Sequence, residues 1–187
     1  MTIMSHDPSE YTDDPATTAS SSTEERGGGH AATTPVVLIL DHLRSAYNVG
    51  NVFRLAEAAQ VEKIVTCGYT ATPPHHKVAK TARGCDEYVP CEHAETASES
   101  IDHLQRQGYT VYAVEPAPES VPLWDCRLQF PAAFVLGNEA LGISEKAWQA
   151  CDAAVELPSY GIKNSINVAN CAATILYETL RQRHTSS

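Results

Sequence analysis

Five short apolar runs, separated by segments of helical periodicity, decide what this chain can fold into. Val36 to Leu40 reads VVLIL, Ile64 to Cys67 reads IVTC, and Thr110 to Val114, Ala132 to Leu136 and Ala154 to Leu157 repeat the theme. Each is too short for a helix and is apolar throughout rather than alternately, the pattern of a strand covered on both faces. Between them the spacing turns helical. Val52, Leu55, Ala56 and Ala59 follow the first run from Asn48, Ile101 and Leu104 mark a helix over 97–107 that stops at Gly108, and Ser144 can cap a helix running to about Ala150. Val78 to Arg83 reads as a short basic helix, Glu87 to Pro90 as a brief edge strand, and residues 70–76 and 116–131 as Pro-containing irregular segments. The last helix carries Ile166, Val168, Cys171, Ala172, Ile175 and Leu176 on one face. Strand alternating with helix specifies an α/β fold, a parallel sheet with helices on both faces, and there is no internal repeat.

Residues 1–34 stand apart. They are rich in Ser, Thr, Asp, Glu, Pro and Gly, end near Gly27-Gly28-Gly29, and lack the apolar surface that would offset chain entropy, so an unstructured acidic tail is expected there and one domain over 35–187. The start has no apolar core of a signal peptide and no run approaches transmembrane length, so the expected place is the cytoplasm, with no membrane partner. Six cysteines without a CxxC pair, and His75-His76 without a third ligand at familiar spacing, point to free thiols in a reducing compartment and to no metal. The net charge of −10 argues against a polyanionic partner, but the tail alone holds six acids and one base. Within the body, Arg44, Arg54, Lys77, Lys80 and Arg83 come from two neighbouring segments, so a local basic face is compatible with an acidic total.

In a parallel sheet, ligands bind beyond the carboxyl ends of the strands. The polar, Gly-bearing turns lie there, at 41–51, 137–144 and 158–167. The first holds Asn48, Gly50, Asn51 and Arg54: Gly50 permits a tight turn, Asn51 can cap the helix, and Arg54 stands one turn inside it. Arg54 can pair with Glu57 or direct its planar fork at a phosphate or a developing oxyanion. The second, Gly137-Asn138-Glu139 to Gly142, brackets Glu139 with glycines that let a ligand approach the backbone, without the spacing of a dinucleotide fingerprint. The third runs from Pro158 through Ser165 to Asn167 at the mouth of the last helix. A helix start suits an anion or polar ligand, although Asn164 or Ser165 can equally be a plain N-cap.

In order and spacing the three together resemble the motifs of the SpoU-type RNA 2′-O-ribose methyltransferases, the TrmH-like branch of the SPOUT class. NxGNxxR answers to Asn48, Gly50, Asn51 and Arg54, the GxE-plus-G element to Gly137, Glu139 and Gly142, and the P-x(6)-SxN element to Pro158, Ser165 and Asn167. Ile166 stands where family members often carry Leu. The likeness covers roughly residues 35–181. It implies a C-terminal trefoil knot, which nothing in the residue pattern alone calls for. It also implies a homodimer, an RNA substrate (tRNA or rRNA), and S-adenosyl-L-methionine as cofactor, lined by Gly137, Leu157, Ile166 and Ser165, with Val114 or Glu115 as a further contact.

The reaction so implied is attack of a ribose 2′-oxygen on the sulfonium methyl, releasing S-adenosylhomocysteine. The resemblance assigns the chemistry to Arg54. A guanidinium holds its proton to a pKa above about 12, so Arg54 is read as a cation that orients the phosphate and lowers the hydroxyl's pKa. Asn48 and Asn51 are expected to position Arg54 and the ribose, Glu139 to orient Arg54 or a neighbouring amide, and Ser165 with Asn167 to hold the loop or the nucleotide. Arg44, Lys77, Lys80, Arg83 and Lys163 are expected near RNA phosphates. Two other readings stand beside this one: a non-catalytic RNA-binding module of the same fold, disfavoured by the intact Asn51, Arg54, Glu139, Ser165 and Asn167, and a nucleotide-dependent oxidoreductase, disfavoured by the missing fingerprint.

Overall fold

The computed structural model describes residues 33–163 and 165–185. The chain divides into a unit Met1–Ala31 and a unit Ala32–Ser187. The acidic tail expected over 1–34 falls outside the described residues up to position 32, and Thr34 already opens the first strand, donating from Oγ1 to the Ala59 carbonyl at 2.8 Å.

The described residues form β1 (Thr34–Asp41), α1 (Ala46–Ala58), β2 (Val61–Cys67), α2 (His76–Ala82), β3 (Cys91–Ala94), α3 (Ala97–Arg106), β4 (Thr110–Val114), β5 (Val121–Pro122), β6 (Ala132–Leu136), α4 (Glu145–Ala150), β7 (Ala153–Glu156) and α5 (Val168–Thr185). The strands make one sheet in the order β3-β2-β1-β6-β4-β7-β5, and every pairing is parallel. β1 can lie inside the sheet because both its flanks meet apolar strands: Leu38 lies opposite Ile64 on one side and Phe134 on the other. Its side chains alternate between faces. Val36, Leu38 and Leu40 pack with Val52, Phe53 and Ile175 beneath α1 and α5, whereas Val37 and Ile39 pack with Ile101, Leu104 and Ala147 beneath α3 and α4. All of these side chains are fully or almost fully buried, which is why the runs are apolar without alternation.

Three local expectations are corrected. Glu87 to Pro90 is not a strand: residues Cys85–Glu87 form a 3-10 turn after Gly84, whose φ of +88° breaks the extended path, and the edge strand follows at Cys91–Ala94. Asn51 does not cap α1. Ser45 does, its hydroxyl accepting from the Asn48 N–H at 3.2 Å, so the helix opens before Asn48 and Asn51 lies inside it. Ile166 precedes the last helix and is half exposed, because Asn167 opens that helix through Oδ1 to the Ala169 N–H at 2.9 Å; Asn164 lies outside the described residues.

Gly50 serves contact rather than a turn. A Cβ there would stand 2.0 Å from Thr81 Oγ1 and 2.4 Å from the Val78 carbonyl, so its absence lets α2 lie directly against α1. Gly50→Ala is therefore expected to destabilise the protein by about 1–3 kcal/mol in urea unfolding, despite alanine's better helix propensity. A stabilised variant would show that α2 moves away freely.

Candidate functional site

The loops after β1, β6 and β7 meet beside the end of β4 around a cavity of about 940 Å³. Its floor is apolar, with Val114, Leu136 and Val168 buried, while Arg44, Glu139, Ile166 and Asn167 stand exposed at its rim. Two glycines shape the loop after β6. A Cβ on Gly137 would come within 2.4 Å of the Gly142 and Ile143 backbone, and Gly142, at φ +74°, leaves room for the Glu115 carboxylate, 2.1 Å from where its Cβ would be. That carboxylate accepts from the Ile143 N–H at 2.7 Å. Glu115 thereby braces the loop as well as lining the cavity. Cys171 also lines it, but burial pushes its thiol up to about 12, so it acts as an apolar group rather than a nucleophile.

At the rim, one residue from each loop joins a single hydrogen-bonded chain. Glu139 accepts from the Arg44 N–H at 2.8 Å, the Ser45 N–H at 3.2 Å and Asn48 Nδ2 at 2.9 Å. Asn48 Oδ1 in turn accepts from Asn167 Nδ2 at 3.1 Å. The direction is forced: an ionised carboxylate only accepts, so Asn48 must show it the NH₂ end, which leaves the Asn48 oxygen for Asn167 and the Asn167 oxygen for the Ala169 N–H. Partial desolvation pushes the Glu139 carboxyl up, but the donors from Arg44, Asn48, its own backbone and Ser45 outweigh it and hold the group below its ordinary range.

Residues 35–177 match the SpoU rRNA Methylase family. The chain belongs to that family. A Staphylococcus haemolyticus protein named for the TrmH family of tRNA/rRNA methyltransferases is 31% identical over 148 residues, 79% of this chain and 59% of the relative. A solved RNA 2′-O ribose methyltransferase is 28% identical with a TM-score of 0.72, covering 86% of this chain and 62% of that one. The SpoU methyltransferase AviRb from Streptomyces viridochromogenes, solved in complex with AdoMet, is 26% identical with a TM-score of 0.71, covering 80% of this chain and 58% of that one. The chain thus spans about 59% of the length of the curated relative.

In this SpoU-family chain the expected site residues fall into two groups. Asn48, Glu139, Ser165 and Asn167, with Gly137, Leu157, Ile166, Val114 and Arg44, border the one cavity. Asn51, Arg54, Lys77, Lys80, Arg83 and Lys163 are exposed and do not line it. For Arg54 the reason is helical: six residues beyond Asn48, it points roughly 120° away from it. It shares a face with Gly50, four residues earlier, which is the face that meets α2. Burial and then Glu57 push the Cys85 thiol up while Arg54 pulls it down.

The spacing of motifs did not reveal a second set of contacts that hold the first and second loops together. Asp41, fully buried, accepts from the Ser144 N–H at 2.8 Å and from His42 Nδ1 at 2.6 Å. Asn138 donates to the His42 carbonyl and to the Tyr69 hydroxyl, both at 2.7 Å, while its oxygen accepts from Ala140 and Leu141 N–H. The available signal was position alone: Asp41-His42 and Asn138 are the polar residues that follow the two most apolar strands. Among the described residues no group of three or more His, Cys, Asp or Glu is placed to hold a metal, and no helix is long and apolar enough to cross a membrane.

Proposed function

We propose that this chain is an S-adenosylmethionine-dependent RNA methyltransferase that methylates a ribose 2′-hydroxyl, in tRNA or rRNA, as a cytoplasmic homodimer with a C-terminal trefoil knot. The observation that carries this reading is the cavity with Asn48, Glu139 and Asn167 linked along its rim. The names borne by the similar RNA 2′-O ribose methyltransferase and the AdoMet complex of AviRb support the reaction and the cofactor. Six free cysteines suit a reducing compartment. For the knot, the support is that α5 reaches back to the segment before β6, where Gln182 accepts from the Leu128 N–H and donates to the Cys126 carbonyl.

The cavity fits the cofactor. Its volume lies in the range of small-molecule sites, its floor is apolar, and Gly137 and Gly142 leave backbone groups open to a ligand. Gly137, Leu157, Ile166 and Val114 would hold the cofactor, and Ser165 would contact it from the rim. When bound, the cofactor supplies an electrophilic methyl group on a sulfonium. The protein's task is then to raise the reactivity of a neutral hydroxyl. Arg54 stabilises negative charge developing on the 2′-oxygen and keeps its own proton, so the hydroxyl proton passes to solvent water as the O–CH3 bond forms. Because Arg54 faces α2 rather than its own cavity, the homodimer gives it a role: the guanidinium of one copy serves the cavity of the other. Glu139 orients Asn48, not Arg54.

A non-catalytic RNA-binding module is favoured by one observation, the separation of Arg54 from the cavity. The two readings part in one assay. Radiolabelled methyl should pass from S-adenosylmethionine to RNA from a strain lacking the gene and map to a ribose; calorimetry showing cofactor binding with no transfer to any RNA would support the module. Label recovered on a base would overturn the ribose assignment.

Lys77 and Lys80 on α2, and Arg83 at its end, are exposed in the layer that holds Arg54, where they can track phosphates; Lys163 extends that set from the third loop. Replacing Lys77, Lys80 and Arg83 with alanine should lower the slope of log K against log[salt] for RNA binding by about 2–3, the counterions of three phosphate contacts. An unchanged slope would remove them from the RNA footprint.

A further inference from the structure

We infer that Arg44 is the carboxylate clamp of the cavity, binding the α-carboxylate of the amino-acid portion of the methyl donor. The inference rests on the proposed cofactor and reassigns Arg44 from the RNA footprint. Among the described residues three charged side chains line the cavity: Arg44, Glu115 and Glu139. The two carboxylates are committed to the protein, Glu115 to the Ile143 N–H and Glu139 to three donors of the first loop. An anionic group entering beside them meets two negative charges and needs a cation within the same walls. Among the described residues Arg44 is the one lining side chain that offers it, and it is in no ion pair with a described carboxylate.

Its root is fixed. The Arg44 N–H is held by Glu139 at 2.8 Å, between buried Leu43 and the helix-capping Ser45, so the side chain starts from a defined point at the rim. A planar guanidinium matches a carboxylate with two parallel hydrogen bonds, a geometry that a lysine cannot reproduce. By contrast, Lys77, Lys80 and Arg83, the cations suited to phosphates, do not line the cavity.

Calorimetry with three ligands tests this without turnover: S-adenosylhomocysteine, its decarboxylated analogue, and 5′-methylthioadenosine. The parent protein should prefer S-adenosylhomocysteine to the decarboxylated analogue by tenfold or more. Arg44→Ala, which keeps the backbone N–H that Glu139 holds, should lose that preference and bind 5′-methylthioadenosine as the parent does; Arg44→Lys should recover part of it. If Arg44→Ala binds S-adenosylhomocysteine with parent affinity, the clamp is refuted, and an accompanying fall of about 1 in the salt slope of RNA binding would return Arg44 to the phosphates. Uniform weakening of all three ligands would show a merely structural role and also refute it. A parent protein that binds none of them overturns the cofactor reading itself, an outcome distinct from a parent that binds while Arg44→Ala changes nothing.

Discussion

Arg54→Ala is expected to lower methyl transfer to RNA by about 10²-fold or more while leaving affinity for S-adenosylhomocysteine at the parent value. Removing one preorganised charge-stabilising group from a reaction that develops negative charge on oxygen has an effect of that size. Cofactor affinity should persist because Arg54 is exposed on the α2 side of α1 and does not line the cavity. Arg54→Lys should recover little, since a point charge does not replace the fork. The arrangement across two copies is open to a mixing experiment. Dimers combining Arg54→Ala with a chain whose cavity is blocked by Gly137→Leu should regain activity, because one of their two sites would have both an intact cavity and an intact arginine facing it. Transfer at the parent rate by Arg54→Ala alone would end its catalytic assignment.

Glu139→Gln, although nearly isosteric, is expected to reduce kcat/KM by about 10²-fold and to lower Tm by about 2–4 °C. A glutamine must present an NH₂ where the carboxylate accepted. If that NH₂ faces Asn48, the Asn48 amide has to turn its oxygen toward it and its NH₂ toward Asn167, and Asn167 can then meet it only by turning its own oxygen away from the Ala169 N–H. The start of α5 thereby loses a cap that contributes about 1 kcal/mol, which sets the thermal shift. The larger loss of activity follows from displaced rim groups, since an error of about 1 Å in a reacting geometry costs on the order of 10²-fold. The pH dependence has a definite sign. The folded Glu139 carboxyl lies below its ordinary value, so its stabilising contribution is present above the unfolded carboxylate pKa and is lost as pH falls through the folded one. The parent should therefore show an acid limb in its stability profile that is shallower in Glu139→Gln, the remainder coming from groups such as Glu178, which Arg181 holds below its ordinary range. A variant with parent activity and an unchanged Tm would show that the chain of amides is ornamental.

Much of the sheet was legible because burial on both faces leaves a plain signature. The runs at Thr110 to Val114 and Ala132 to Leu136 coincide with β4 and β6 residue for residue. The edge was harder to read. β3 is half exposed and carries Glu92 and His93, so no continuous apolar run marks it, and Gly84 with the 3-10 turn displaced it from Glu87 to Pro90 toward Cys91–Ala94. Helix starts were misread for a different reason: several polar residues near a boundary can each cap, and only tertiary contacts choose among them. Glu139, more than ninety positions away, takes the Arg44 and Ser45 N–H groups and so helps to fix the start of α1 at Ser45. In the candidate site, the motifs supplied Asn48, Gly137, Glu139, Gly142, Ser165 and Asn167 to the cavity but not Asn51 or Arg54. Motif order could not show that Arg54 points away from the cavity, because that follows only once α1 starts at Ser45 and holds Asn48 and Arg54 on one helix. Nor could it show the Asp41, His42 and Asn138 contacts, which belong to no periodic pattern.

The strand order has a bearing on how the protein comes into being. β6 sits between β1 and β4, both of which leave the ribosome earlier, so a growing chain cannot close the middle of its sheet until residue 136 has emerged. Until then the most apolar strand presents an unpaired flank, and the cavity is incomplete, since two of its loops are still unmade. Vectorial synthesis thus leaves the flank of β1 open to self-association until β6 emerges, and the cavity can close only after the loop at 158–167 has followed.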